Sequence, residues 1–266
     1  MENITVIIPI HKWDDEFKKM TTDAINNVNE CRGFTTAVIT SLIVAPKSIE
    51  CEELNALNSK ETKVFYHEGE TDYCSQVNAA AEVVETKFFS ILEVDDLYTP
   101  KWFKMFNDYL VGNEDFSVFL PLTIQHIVGE DGWLYTNEMA LSGGLAENIG
   151  EVTEELLTDV SIFNVTGAVI NKEDFIAVGK YKPSIQIAFN YELLLRFAKS
   201  KKRIMVVPKE GYFHIVGRKD SLSDTYVKTI PADDIQKWFA LAKTEYAYKK
   251  DRNKGISKKT RQEKLK

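Results

Sequence analysis

Phe88-Phe89-Ser90-Ile91-Leu92-Glu93-Val94-Asp95-Asp96-Leu97-Tyr98-Thr99-Pro100 decides how this chain is read. An apolar run of strand length passes directly into three carboxylates within four positions. Thr-Pro before Trp102 and Phe103 then signals a turn into a helix. Glu93, Asp95 and Asp96 therefore stand at the carboxyl end of a buried strand, the edge of an α/β protein where ligands bind. If the strand persists, Glu93 and Asp95 alternate onto the same side. Acids packed this closely repel unless a cation offsets them, and oxygen donors suit magnesium or manganese. The plainer alternative is an acidic loop capping the helix that starts near Pro100, with Thr99 as its N-cap.

Outward from that stretch, strands and helices alternate. Ile4-Thr5-Val6-Ile7-Ile8-Pro9-Ile10 reads as a buried first strand. Asp14 to Asn29 has helical spacing, with Phe17, Met20, Ala24, Ile25 and Val28 on one face. Strands follow at 36–45 and 63–66, helices at 52–58, 75–85 and 101–110. This order implies an α/β fold, a mostly parallel sheet covered on both faces. The second half is less regular. Residues 117–123 and 125–128 read as two strands, 129–160 as a long loop with one helix at 151–158, and 162–171 as a further strand. A helix at 190–200, a strand at 203–208, an extended stretch at 210–216 and an amphipathic helix at 232–248 complete the reading.

The composition, 44% hydrophobic and 27% charged over 266 residues, is that of an ordinary globular chain with a substantial core. No apolar stretch has the length of a membrane span. Cys31, Cys51 and Cys74 are unclustered, which fits a reducing cytoplasm and neither a disulfide frame nor a zinc site. Charge is uneven. Residues 249–266 carry nine basic against two acidic side chains, +7, which leaves 24 basic and 38 acidic elsewhere, −14. Such a tail is either a solvated, flexible end or a contact with phosphates of nucleic acid or an anionic surface.

No G-x-G-x-x-G, Walker A or G-x-S-x-G motif follows any strand, which argues against a dehydrogenase, a P-loop enzyme and an α/β-hydrolase. If a nucleotide-bearing ligand binds, the strand-end acids would hold its diphosphate through a metal. His214 follows a late strand and is the best placed of the four histidines to add a ligand. Arg218 and Lys219 follow it and could meet phosphate charge directly.

Taken together, residues 3–225 resemble the family 2 glycosyltransferases with the GT-A fold. Val6-Ile7-Ile8-Pro9-Ile10-His11 looks like that family's first strand and nucleotide-contacting turn, and Gln76-Val77-Asn78-Ala79-Ala80 resembles its R-N-x-G segment. Ile91 to Pro100 is similar to its D-x-D stretch. Gly167-Ala168-Val169-Ile170 with Phe175 and Val178-Gly179 resembles its acceptor-side strand and turn. Tyr191-Glu192-Leu193-Leu194-Leu195-Arg196 looks like the helix after the catalytic acid, and His214 with Ser221-Leu222-Ser223 like the closing H-x-x-G-S-x-S segment.

The resemblance implies a GT-A domain over 1–230, with 1–110 binding a nucleotide sugar and 111–230 the acceptor, then a helix at 231–248 and the basic tail at 249–266. It implies a cytoplasmic enzyme with Mn2+ or Mg2+, held by Asp95 and His214, and inversion at the anomeric carbon. Asp96 would support the metal site through hydrogen bonds. Pro9, His11, Gln76, Asn78, Glu93, Val94 and Arg218 would line the donor site. The usual base-reading Asp is replaced by Ala45-Pro46-Lys47-Ser48, and Asp72 could substitute from the next loop. The family's general base corresponds to Asn190, and an amide cannot accept a proton. Glu192, or Asp131, Glu147 or Asp159 of the long loop, would then have to act. The acceptor would be a saccharide or a hydroxymethylated base of DNA, as some large bacteriophages glycosylate. A third possibility is a catalytically inactive sugar-nucleotide-binding or scaffold protein.

Overall fold

A computed structural model describes residues 1–143, 148–185, 187–218, 221 and 228–244. The first half runs β1 (Ile4–Pro9), α1 (Asp15–Arg32), β2 (Ile39–Pro46), α2 (Glu52–Asn55), β3 (Thr62–His67), α3 (Tyr73–Val83), β4 (Phe88–Ile91), β5 (Leu97–Tyr98) and α4 (Trp102–Leu110). The second half runs β6 (Phe116–Ile127), β7 (Leu134–Thr136), α5 (Glu154–Asp159), β8 (Val169–Asn171), α6 (Lys172–Ala177), α7 (Phe189–Lys199), β9 (Arg203–Val216) and α8 (Ala232–Lys243). Among the described residues the strands form one sheet in the order β3-β2-β1-β4-β8-β6-β9-β5, with β7 hydrogen-bonded to β6. The block β3-β2-β1-β4 is parallel, as is β6 with β9, and β8 joins the two blocks antiparallel. This is the expected α/β architecture of the GT-A type.

Alternation along the strands fills a core on each face. Ile4, Val6 and Ile8 of β1 meet Phe17, Ala24 and Val28 of α1 and Phe103 and Phe106 of α4. Ile7, Val44, Phe89 and Ile91 turn the other way, against Val77, Ala80 and Ala81 of α3 and the aliphatic face of α7. Burying both faces is why the β1 and β2 sequences are nearly unbroken runs of Ile, Val and Leu.

Three expectations are corrected. The segments at 117–123 and 125–128 are one strand, and those at 203–208 and 210–216 are another. The long loop carries β7 and a 3-10 turn at Glu138–Leu141 besides α5. Of 162–171 only Val169–Asn171 is strand. Before it, the Asn137 side chain fixes the backbone at Asn164, donating to its carbonyl at 3.0 Å and accepting from its N–H at 2.8 Å. The basic tail at 249–266 and Glu147 lie outside the described residues. Among those described, no helix is long and apolar enough to cross a membrane.

Candidate active site

The opening acids sit beyond the strand. β4 ends at Ile91, and the chain turns at once, with the Asp96 N–H donating to the Glu93 carbonyl at 3.0 Å. Glu93 and Asp95 therefore do not share a strand face, yet both line a pocket of about 340 Å³ at the carboxyl edge of the parallel block. Thr99 is not an N-cap. Its hydroxyl donates to the Glu210 carbonyl at 2.7 Å, and α4 starts after Lys101 without a side-chain cap.

Asp96 turns inward and is 1% exposed. One carboxylate oxygen accepts the Ile215 N–H at 2.8 Å and the other lies 2.8 Å from His214 Nδ1. Burial raises the Asp96 pKa and outweighs the two donors, His214 and the Ile215 N–H, which favour its anion. Burial acts to lower the His214 pKa, but the Asp96 hydrogen bond and the charges of Asp96, Glu93 and Asp95 raise it to about 9. With Nδ1 engaged by Asp96, Nε2 is the nitrogen left for a ligand. Glu93 is pushed up to about 8, first by desolvation and then by Asp96 and Asp95, against the opposing pull of His214 and Arg218.

Asp95 is paired across the pocket. Arg218 Nε donates to its carboxylate at 2.7 Å, and the same guanidinium reaches Glu16 at 3.5 Å. Gly217, at φ +83°, gives the left-handed turn that brings the chain back from the end of β9. On the opposite flank, Asp72 N-caps α3 by accepting from the Ser75 N–H at 3.0 Å, while Pro9, Tyr73 and Gln76 complete the wall. His11 packs edge-on against Phe17 at 4.7 Å. Burial, with Lys12 and Arg218 nearby, lowers its pKa.

Of the residues expected at the site, Pro9, His11, Asp72, Gln76, Glu93, Val94, Asp95, His214 and Arg218 line this one pocket. Three do not. Asn78 is a structural clamp, bonded through both ends of its amide to the Tyr181 backbone at 2.9 Å. Asn190 accepts from the Tyr181 hydroxyl at 3.0 Å. Glu192, expected as an alternative base, is 0% exposed and held by Arg196 through two bonds of 2.8 Å and by Lys182 at 3.0 Å. A carboxylate so enclosed has no path to an acceptor hydroxyl. Asp131 and Asp159 are exposed and away from the pocket lining. Residues that sequence reasoning missed are Thr71, Tyr73 and the glycine-led return at Val216-Gly217. Tyr212 was missed as well: its hydroxyl accepts the Glu93 N–H at 3.1 Å and so fixes the acid turn.

For a divalent cation, the donor chemistry fits. Among the described residues no three His, Cys, Asp or Glu side chains form a metal cage. A cation completed by substrate phosphates needs only one or two protein ligands, and Asp95 with His214 Nε2 could supply them once Arg218 releases Asp95 and the raised-pKa His214 ring gives up its Nε2 proton.

The chain matches no protein-family model and no curated protein sequence. It does share its fold with solved structures. S. aureus TarS 1–349 in complex with UDP-GlcNAc aligns with TM-score 0.66 and 15% identity over 92% of this chain and 67% of that one. The same piece in complex with UDP gives 0.63 and 15% identity over 92% and 66%. S. aureus TarS itself gives 0.61 and 16% identity over 92% of this chain but 40% of its own. This chain therefore spans well under half of TarS.

Proposed function

We propose that this chain is a glycosyltransferase that moves a sugar from a UDP-sugar to an acceptor hydroxyl, with inversion at the anomeric carbon. The observation that carries the reading is the pocket itself. Asp95, His214 and Arg218 gather at one end of it, at the carboxyl edge of a GT-A-type sheet whose solved neighbours hold UDP and UDP-GlcNAc.

In this reading Arg218 exchanges Asp95 for the diphosphate and holds it by charge-assisted hydrogen bonds. Asp95 and His214 would hold Mn2+ or Mg2+, which when bound offsets charge developing on the departing diphosphate. Asp96 keeps the His214 ring oriented and its Nε2 directed to the ligand. Tyr212 keeps Glu93 and Asp95 at the pocket mouth through the Glu93 N–H. Pro9, His11, Asp72, Gln76 and Val94 shape the remaining wall. The acceptor we propose is a saccharide, because a body carrying −14 disfavours broad contact with DNA.

The test is release of UDP from UDP-sugars with manganese, with and without an acceptor panel. Turnover that is lost in Asp95→Ala supports the reading; failure to bind or turn over any nucleotide sugar ends it. A second reading, nucleotide-sugar binding without transfer, is favoured by Asn190 and by the enclosed Glu192. It predicts UDP-sugar binding with no UDP release.

A further inference from the structure

The sheet carries apolar side chains that belong to neither core. The register sets Tyr135 of β7 opposite Ile124 of β6, Ile124 opposite Phe213 of β9, and Phe213 opposite Leu97 of β5. One row of apolar side chains thus crosses four strands on a single face. A second row lies beside it. The Trp133 ring sits 4.9 Å from the His126 ring and 6.3 Å from that of Phe213, and His126 stands opposite Ile215 in the β6–β9 ladder. Leu97, Trp133 and Tyr135 remain 41%, 59% and 47% exposed, so a ligand can reach them. Apolar side chains clustered and exposed in this way mark an interaction surface, unlike ones scattered singly.

Strand β9 relates this face to the pocket. His214 turns toward Asp96, while its neighbours Phe213 and Ile215 take the opposite side. Ile215 is also part of the pocket lining. The aromatic face therefore starts at the pocket wall and leads away from it, behind His214.

The chemistry of the face selects its occupant. Aromatic rings carry negative faces that attract the C–H face of a sugar ring. The Tyr135 hydroxyl donates to Glu210 Oε1 at 2.8 Å, so a carboxylate able to accept from hydroxyls stands at the rim. Glu130 and Asp131, exposed in the turn before Trp133, add two more. Such a rim disfavours a chain bearing phosphates or carboxylates and suits one bearing hydroxyls alone. It also disfavours a second copy of this chain, since a two-fold contact would set these acids against one another.

We propose that Trp133, Phe213 and Tyr135 form a platform for a neutral saccharide chain, holding sugar units remote from the one that is modified. This rests on the glycosyltransferase reading and names its acceptor class: an uncharged chain of several units, not a single sugar or a polyanion.

A glycan array of neutral hexose and N-acetylhexosamine chains beside polyuronates and phosphate-bearing glycans tests this on wild type. The best neutral chain is then titrated as its disaccharide and hexasaccharide into wild type, Trp133→Ala and Trp133→Phe. Wild type should prefer neutral chains and bind the hexasaccharide more tightly than the disaccharide. Trp133→Ala should lose about tenfold in hexasaccharide affinity and little for the disaccharide, with its melting temperature unchanged, and Trp133→Phe should recover most of the loss. A blank array, a preference for anionic glycans, or an equal loss at both lengths overturns the proposal. So does a wild-type dimer, seen by light scattering, that Trp133→Ala splits, which would assign the face to a second copy. UDP titration of wild type separates this from the reading beneath it. UDP binding with a blank array ends the platform alone, whereas neutral chains bound without UDP keep the platform and end the transfer reading.

Discussion

Gly167 turns at φ +73°, and a Cβ there would lie 2.3 Å from the Tyr212 ring. Its carbonyl accepts from Trp102 Nε1 at 2.9 Å, so the backbone has no room to withdraw. Gly167→Ala should therefore cost roughly 2–4 kcal/mol, from left-handed backbone strain plus overpacking, read as a lowered urea midpoint. Because the Tyr212 hydroxyl fixes the Glu93 N–H, UDP affinity should fall in the same variant. Glu192 gives a contrasting case. Breaking its enclosed pair with Arg196 by Arg196→Met should destabilise by roughly 3–5 kcal/mol, since a buried carboxylate loses its main partner. The isosteric Glu192→Gln separates structure from catalysis. It should lower the melting temperature and leave turnover per folded molecule unchanged; abolished turnover with normal melting would return Glu192 to the role of base.

β9 links stability at one end to the site at the other. At its start Arg203 pairs with Glu151 through bonds of 2.9 and 3.1 Å and also with Asp115, and near its end stands His214. The Arg203 hydrogen bond holds the Glu151 carboxyl below the usual range. A carboxyl with a depressed folded-state pKa adds stability above its unfolded pKa and loses it as pH falls through the folded value. Glu151→Gln should thus destabilise at neutral pH, by no more than about 1 kcal/mol for a pair this exposed. The difference should shrink in urea unfolding as pH falls through the depressed folded-state value and vanish below it, where both forms are neutral. The same strand shows why its continuity was hidden in the sequence. Read from sequence, one strand ends at Pro208 and the other breaks at Ile124, yet both strands pass through, β6 across Pro121 and β9 across Pro208. The register jumps from Leu120–Val206 to Leu122–Glu210, so both prolines fall where ladder pairing is already broken. A bulge tolerates the missing N–H. Conversely, Ile162 to Thr166 has strand composition, but the Asn137 and Asn164 side chains satisfy its backbone instead.

Across the whole molecule, the pocket side was legible because its acids, its first strand and α3 are local patterns that a parallel sheet brings to one edge. The roles of Asn78, Asn190 and Glu192 were not, because burial decides them. Asn78 and Glu192 look like site residues in sequence, and only packing against Tyr181 and Arg196 shows them to be structural. The fold closes the site by a contact that no local pattern reveals. Arg218, just past β9, reaches both Asp95 after β4 and Glu16 in α1, and so ties the two parallel blocks across the pocket. In the proposed reading that guanidinium and a divalent cation would compete for the same Asp95 carboxylate, whereas guanidinium and diphosphate attract. Arg218→Met should therefore act in opposite directions on the two ligands. Manganese alone should bind several-fold more tightly, and UDP should bind about 10- to 100-fold more weakly, as expected for lost charge-assisted hydrogen bonds. Titration of each ligand separately reads both signs. If manganese affinity without nucleotide is unchanged or falls, Arg218 does not guard the metal carboxylate, and Asp95 is not the residue on which the cation depends.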